Sequence, residues 1–115
     1  MYQLETITEI ITTSEELSLY KKLVLQLNKD FLRANVCVNF KEDIQPNNLI
    51  LQLQETISKL INEQFSEYLN LLYIVDVSEV KIKNLDTNDS QLMIEQVTFL
   101  ILSREWQKVW FKNKI

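Results

Sequence analysis

The side chains best suited to binding a ligand lie at the C-terminal end of the chain, in the segment REWQKVWFKNKI at positions 104–115. This segment holds four basic side chains, two tryptophans and one phenylalanine. Basic side chains neutralise phosphates, and aromatic rings stack on nucleobases. One hypothesis is therefore a nucleic-acid-binding regulator, whose basic patch would consist of Arg104, Lys108, Lys112 and Lys114.

A helical wheel separates these two kinds of side chain. Measured from Met93, Trp106 and Trp110 fall at about 220° and 260°, whereas three of the bases fall between about 20° and 100°. A stacking platform needs aromatic rings within the basic groove, and a membrane-surface helix needs bases flanking its apolar face. Membrane binding is therefore not expected, and nucleic-acid binding is the second hypothesis. The bases should face solvent or a partner's acids, so replacing Lys108 should change neither stability nor assembly.

The tryptophans instead extend an apolar seam with 7-3-4-3 spacing from Leu92 to Val109. Between Leu92 and Leu102 the helix is apolar nearly all round, which is typical of a helix buried on two sides. Three bundled helices do not bury that much apolar surface, and tryptophans are enriched at interface hot spots. We therefore expect a protein partner or a second copy, most simply in a homodimer, at the candidate interface Phe99, Leu102, Trp106, Val109 and Trp110. The alternative that the tryptophans belong to the domain's own core stays open.

Composition excludes several classes of catalytic site. The chain has no histidine, which removes the common general base and imidazole ligands for zinc. It has no glycine, which removes the loops that hold phosphates and dinucleotides. We therefore predict a non-catalytic protein without cofactors, acting as an adaptor, regulator or self-associating subunit.

The N-terminal and apolar segments indicate a cytoplasmic protein. Residues 1–13 contain two glutamates and no basic residue, unlike a signal peptide. The longest purely apolar run, at 71–75, is far too short to span a bilayer. A single cysteine, Cys37, excludes an internal disulfide and points to a reducing compartment.

Three further groups of residues are weak candidates for chemistry. The turn at 86–90 begins like a calcium loop but lacks the required glycine and terminal glutamate, so a helix cap is expected. Glu63 and Glu67 are four residues apart and could hold a hard cation, but a solvated surface fits them better without histidine nearby. Cys37 is expected to be a small buried apolar residue. No metal site is predicted.

Three main helices and a short one are expected to position these side chains. The first begins at Thr13, whose spacing to Glu16 fits a capping box, and ends at Asn35. The second begins at Pro46 and carries an apolar stripe to Val75. Its length of roughly 43 Å exceeds the usual helix in a small domain, so a kink or a partner-buried end is expected.

A break at Asp76 separates the second long helix from a short helix that reaches about Leu85, and the last helix begins near Asp89 or Ser90. Segments 4–11 and 36–40 are ambiguous. The first suits a helix by its spacing and a strand by its β-branched content. The second alternates apolar and polar residues like a strand, so a small ribbon is an open alternative. The class predicted for 1–115 is a single all-α domain.

Two segments, YLNLLYIVDVSEVKIKNL and SREWQKVWFKN, resemble parts of small uncharacterised helical bacterial proteins. In those proteins an aromatic and leucine-rich helix end is followed by Asp-Val-x-Glu, and a final helix carries an Arg-Glu-x-Gln-Lys stretch. The resemblance covers roughly the last 50 residues and implies the helix–break–helix arrangement. It implies no function.

Overall fold

Six α-helices build the fold of the computed structural model, which describes residues 3–114. The predicted all-α class is confirmed, and no strand occurs within the described residues. The final helix was predicted to run to the end of the chain, and the last residue, at position 115, lies outside the described residues. The helices are α1 (Ile7–Glu16), α2 (Tyr20–Arg33), α3 (Pro46–Glu63), α4 (Phe65–Val75), α5 (Glu79–Lys83) and α6 (Ser90–Asn113).

The N-cap of the first helix lies seven residues before Thr13, the predicted one. Thr6 is its N-cap, and the Thr6 side chain accepts a hydrogen bond of 3.0 Å from the backbone N–H of Glu9. The sequence TITE thus has the same spacing as the later TSEE, and the earlier pair is the one that caps. Thr13 instead lies within α1 and is buried. Residues 7–11 are consequently helical, which resolves part of the ambiguous N-terminal segment.

The second long helix is broken at Gln64, which has φ −142° and ψ 60°. Its two parts, α3 and α4, pack against each other. A continuous helix of that length, roughly 43 Å, would exceed the longest dimension of the molecule, which is 39 Å. The change of direction at Gln64 lets both α3 and α4 contact α6, in agreement with the predicted kink.

Residues 36–40 form neither helix nor strand: Val38 N donates to Val36 O at 2.9 Å, as in a γ-turn, and no strand pairs with them within the described residues. Val36 and Phe40 are buried, which explains the alternating pattern. The side-chain amide of Asn28 takes the place of a neighbouring strand, because it donates to Phe40 O at 2.8 Å and accepts from Phe40 N at 2.7 Å. Cys37 is exposed, so the prediction of a buried cysteine is wrong. The alternation places Cys37 on the outward side of the segment.

Residues with a left-handed backbone conformation lie at the ends of α2 and α4 and between α1 and α2. None of them is a glycine, because the chain has none. Asn35 has φ 61° and Asp76 has φ 71°, both at the predicted ends of α2 and α4. Ser18, with φ 59°, lies in the unpredicted break between α1 and α2. Asn and Asp are several-fold enriched among residues that adopt this conformation, so they can replace glycine at helix ends.

The last helix, α6, is the centre of the fold. Asp89 caps it by accepting from Leu92 N at 3.0 Å, in agreement with the predicted start. It contacts α1, α2, α3 and α4, which together cover its two apolar faces. Much of the apolar surface that we expected a partner to bury is therefore buried by these four helices. Its fully buried members include Val97, Ile101, Leu102 and Trp106.

Replacing Trp106 by alanine should destabilise the protein strongly. Trp106 is fully buried, and its removal leaves a cavity that the surrounding helices cannot fill. We expect a loss of about 3–5 kcal/mol in the free energy of unfolding, measured by urea denaturation. The control is Leu32→Ala, since Leu32 is 76% exposed. Similar effects of the two substitutions would contradict the central position of α6.

Candidate functional site

The predicted apolar seam lies mainly inside the molecule. Leu102, Trp106 and Val109 are buried in the core. Phe99 and Trp110 are partly buried and pack against it. Burial therefore favours the alternative that the seam is the domain's own core, and it leaves only the edges of Phe99 and Trp110 for a partner.

The predicted basic patch is largely occupied by contacts within the chain. Arg104 Nη2 lies 3.1 Å from Asp76 Oδ2, and Arg104 Nε donates to Asp76 O at 3.2 Å. Lys112 Nζ donates to Gln26 Oε1 at 2.9 Å. Lys114 lies above the ring of Phe111, with Nζ 4.8 Å from its centroid. The expectation that these bases face solvent or a partner's acids is wrong for Lys108, whose side chain is 18% exposed, whereas Lys112 and Lys114 are exposed.

A buried cluster of three ionisable side chains lies where α2, α4 and α6 meet. Lys108 Nζ donates to Asp30 Oδ2 at 2.7 Å and lies 3.5 Å from Glu105 Oε1. It also donates to the backbone O of Ile74 at 3.4 Å, near the end of α4. Gln26 completes the cluster by donating to Asp30 Oδ2 at 3.2 Å. Both carboxyl groups are fully buried.

The pKa values of the two carboxyl groups in this cluster are shifted in opposite directions. Burial raises the pKa of Glu105 well above its ordinary value, and the hydrogen bond to Asp30 and the charge of Asp30 raise it further against the influence of Lys108. Burial also pushes the pKa of Asp30 upward, but hydrogen bonds with Glu105, Lys108 and Gln26 outweigh it and hold that pKa below its ordinary value. A protonated Glu105 beside an ionised Asp30 is the arrangement that both shifts support.

Hydrogen-bonding capacity leads to the same protonation state. If both carboxyl groups were ionised, both oxygens of Glu105 and Oδ1 of Asp30 would have no hydrogen-bond donor. A proton on Glu105 supplies a donor for Asp30. Lys108 and Asp30 then form an ion pair, and Glu105 remains neutral, which avoids burying two negative charges beside one positive charge.

Glu105 was not among the candidate residues predicted from the sequence. A glutamate in the fifth turn of a helix is ordinarily assigned to the surface. One signal was present, because the basic side chains continue the wheel face of Val97 and Ile101, both of which are buried. Charged residues that extend a buried face must either leave the core or pair within it. Substrate cannot reach Glu105, since its side chain is not exposed to solvent.

An exposed apolar row lies on α4. Phe65, Leu69 and Tyr73 are 53%, 50% and 80% exposed, and their four-residue spacing places them along one side of the helix. Beside this row, α4 and α5 enclose a groove of about 450 Å³. We call the row and the groove together the α4 face. The groove is lined by Leu69, Leu72, Tyr73, Asp76, Val77, Ser78, Glu79, Ile82 and Lys83.

The weaker candidates have simple structural roles. Asp86 accepts a hydrogen bond of 2.9 Å from Asn88 N, and Asp89 caps α6, so the acidic turn shapes a helix start. Glu63 is exposed, and Glu67 is half-buried. Within residues 3–114, no group of three or more metal-binding side chains is close enough to hold an ion. In the same range, no helix has the length and apolar character to cross a membrane.

Comparisons with protein-family models, curated proteins and solved structures gave no match to this chain. Inferences about its function therefore start from the α4 face, the buried cluster and the surface charges.

Stability should fall as the pH rises above the ordinary glutamate pKa of 4.5. In that window the folded state retains the proton on Glu105 that the unfolded state has lost, so raising the pH favours unfolding. Asp30 acts in the opposite sense: its lowered pKa removes stability as the pH drops through 3.8 and below.

Glu105→Gln tests this assignment, because glutamine mimics the protonated side chain and cannot ionise. The slope of unfolding free energy against pH, at most about 1.4 kcal/mol per pH unit for one proton, should flatten above pH 5 in the variant. Urea denaturation at a series of pH values measures it. Parallel profiles for the variant and the natural protein would show that Glu105 is not the titrating group.

Lys108→Ala should destabilise the protein, contrary to the expectation from the wheel. The substitution leaves the buried Asp30 with only Arg33 as a cation, at 3.9 Å, and we expect a loss of about 3 kcal/mol at neutral pH. Lys59→Ala is the matched control, because Lys59 is exposed on α3. Equal melting curves for the two variants would mean that the ion pair contributes nothing.

Proposed function

We propose that this chain is a non-catalytic helical protein that associates with a second copy of itself through the α4 face. The observation that carries the proposal is the exposed row of Phe65, Leu69 and Tyr73. Apolar side chains scattered singly over a surface need no explanation, but a row on one helix beside an apolar groove is typical of an interaction site. The predicted seam does not compete for this role, because most of it is buried.

The charge distribution favours a second copy as the occupant. The chain has a net charge of −4, so two copies repel each other over most orientations. The segment forming α4 contains one charged residue, Glu67, which is half-buried and lies on the flank away from the row. Contact along α4 itself therefore brings few like charges together, and the groove beside it adds Glu79 and Lys83, of opposite charge, and Asp76, which is paired with Arg104.

The shape of the α4 face also suits a twofold arrangement. Phe65 projects at the start of α4, and the groove lies beside its second half, where Tyr73 and Ile82 line it. If two α4 helices pair antiparallel about Leu69, Phe65 of each copy meets the groove of the other. Each copy then contributes the same residues to the contact, as an isologous interface requires.

The small size of the α4 face indicates weak, reversible association. The row and groove amount to a few hundred Å², by comparison with about 800 Å² per partner in a standard stable interface. We therefore expect a dissociation constant on the order of micromolar or weaker. The nucleic-acid alternative is less well supported along the predicted patch, because Arg104 and Lys108 are paired there with carboxylates of the chain, Asp76 and Asp30.

Leu69→Asp should abolish self-association without unfolding the protein. The carboxylate would lie near the twofold axis, where each copy would face the other's new charge in an apolar contact. Sedimentation velocity over about a hundredfold range of concentration should show a monomer–dimer shift for the natural chain and a constant monomer for the variant.

The control is Leu51→Asp, which introduces the same charge at a residue of similar exposure, 56%, on α3. It should associate like the natural chain. A natural chain that stays monomeric throughout, or an equal effect of the two substitutions, would rule out the α4 face as a homodimer contact.

A further inference from the structure

A narrow cleft between α2 and α6 concentrates positive charge in an acidic protein. Its volume is about 300 Å³, and three of its seven lining residues are lysines. No acidic residue lines it. The lining consists of Lys22, Leu25, Gln26 and Lys29 from α2, with Val109, Lys112 and Asn113 from α6.

Two of the lysines are held across the cleft by reciprocal contacts with amides. Lys22 of α2 donates to Asn113 Oδ1 of α6 at 2.6 Å. Lys112 of α6 donates to Gln26 Oε1 of α2 at 2.9 Å. Both partners are neutral, so the hydrogen bonds position the ammonium groups without neutralising their charge.

The amide groups are themselves fixed in orientation. The Asn113 side chain donates its N–H to Val109 O at 2.7 Å, which leaves its oxygen for Lys22. The Gln26 side chain, only 8% exposed, donates to Asp30 Oδ2, which leaves its oxygen for Lys112. Two ammonium groups are thus held in place before any ligand arrives, which lowers the entropy lost on binding.

The third lysine, Lys29, is exposed and forms no ion pair within residues 3–114. It lies seven residues, or two helical turns, after Lys22 on α2, so both side chains reach the same cleft. The nearby carboxylate of Asp30 does not compensate this charge, because it is buried and paired with Lys108. Three positive charges therefore converge on one small opening.

We propose that this cleft binds the phosphate group of a small phosphorylated molecule. Ammonium groups bind phosphate oxygens by charge-assisted hydrogen bonds and act as point charges that tolerate several ligand orientations. The cleft's small volume suits one phosphate or diphosphate group, and Leu25 and Val109 give it an apolar wall. Among residues 3–114, no aromatic ring lines it for stacking on nucleobases. The site differs from the predicted basic patch, with which it shares only Lys112.

The test is a titration of the natural chain with inorganic pyrophosphate, followed by amide NMR shifts. We expect saturable shifts concentrated on α2 and α6 around the cleft. Lys29→Ala and Lys112→Ala should each weaken binding about tenfold, since each removes one charged hydrogen-bond donor. Lys59→Ala, on α3, should leave affinity unchanged. Affinity should fall as ionic strength rises.

Lys29 is exposed and forms no ion pair within the described residues, so its variant tests binding without disturbing the fold. Shifts that do not saturate, or that spread over lysines outside the cleft, would overturn the proposal. So would equal weakening by Lys59→Ala and Lys29→Ala. A parallel titration with a short duplex DNA distinguishes the source of phosphate: tighter binding of the duplex than of pyrophosphate would replace the small ligand with a nucleic acid.

Discussion

Lys108 connects three helices through one ammonium group. It reaches Asp30 on α2, Ile74 O at the end of α4 and Glu105 on its own helix. Burying these charges costs solvation energy, and an apolar core of equal volume would often be as stable. The cluster instead fixes the positions of the helices that it connects, because an ion pair in the interior requires its partners at short distances. This contact therefore joins the end of α4 to α2 and α6.

Side-chain amides perform a second structural role, in a chain that lacks glycine. Asn28 holds the backbone at Phe40 by accepting and donating one hydrogen bond each. Gln96 accepts from the backbone N–H of Asp86 at 3.0 Å and so secures the turn before α6. An amide group carries both a donor and an acceptor, so it satisfies irregular backbone that has no neighbouring strand or helix. The abundance of asparagine and glutamine thus supports connections as well as helix ends.

Sequence patterns predicted the helix boundaries where the local residues allow only one conformation. They failed where several local structures are possible and tertiary contacts determine which one forms. Pro46, Asn35 and Asp76 mark helix boundaries by their own backbone preferences, so these boundaries were predictable. Two capping boxes of equal quality occur near the N-terminus, and packing of α1 on α6 selects the earlier one. The wheel of α6 separated Arg104, Lys108 and Lys112 from the tryptophans. It could not show that α2 approaches these bases with Asp30, because this pairing joins residues 78 positions apart.

The buried cluster lies between the two proposed surfaces and contacts the structural support of each. On one side, Lys108 fixes the end of α4, and Arg104 adds a second contact there through Asp76. On the other side, Asp30 orients the amide of Gln26, which in turn holds Lys112 in the cleft. A cation near the carboxyl end of α4 also interacts favourably with the helix dipole. Charged groups that the sequence presented as a ligand-binding stripe thus act first as the support that positions an apolar face and a basic cleft.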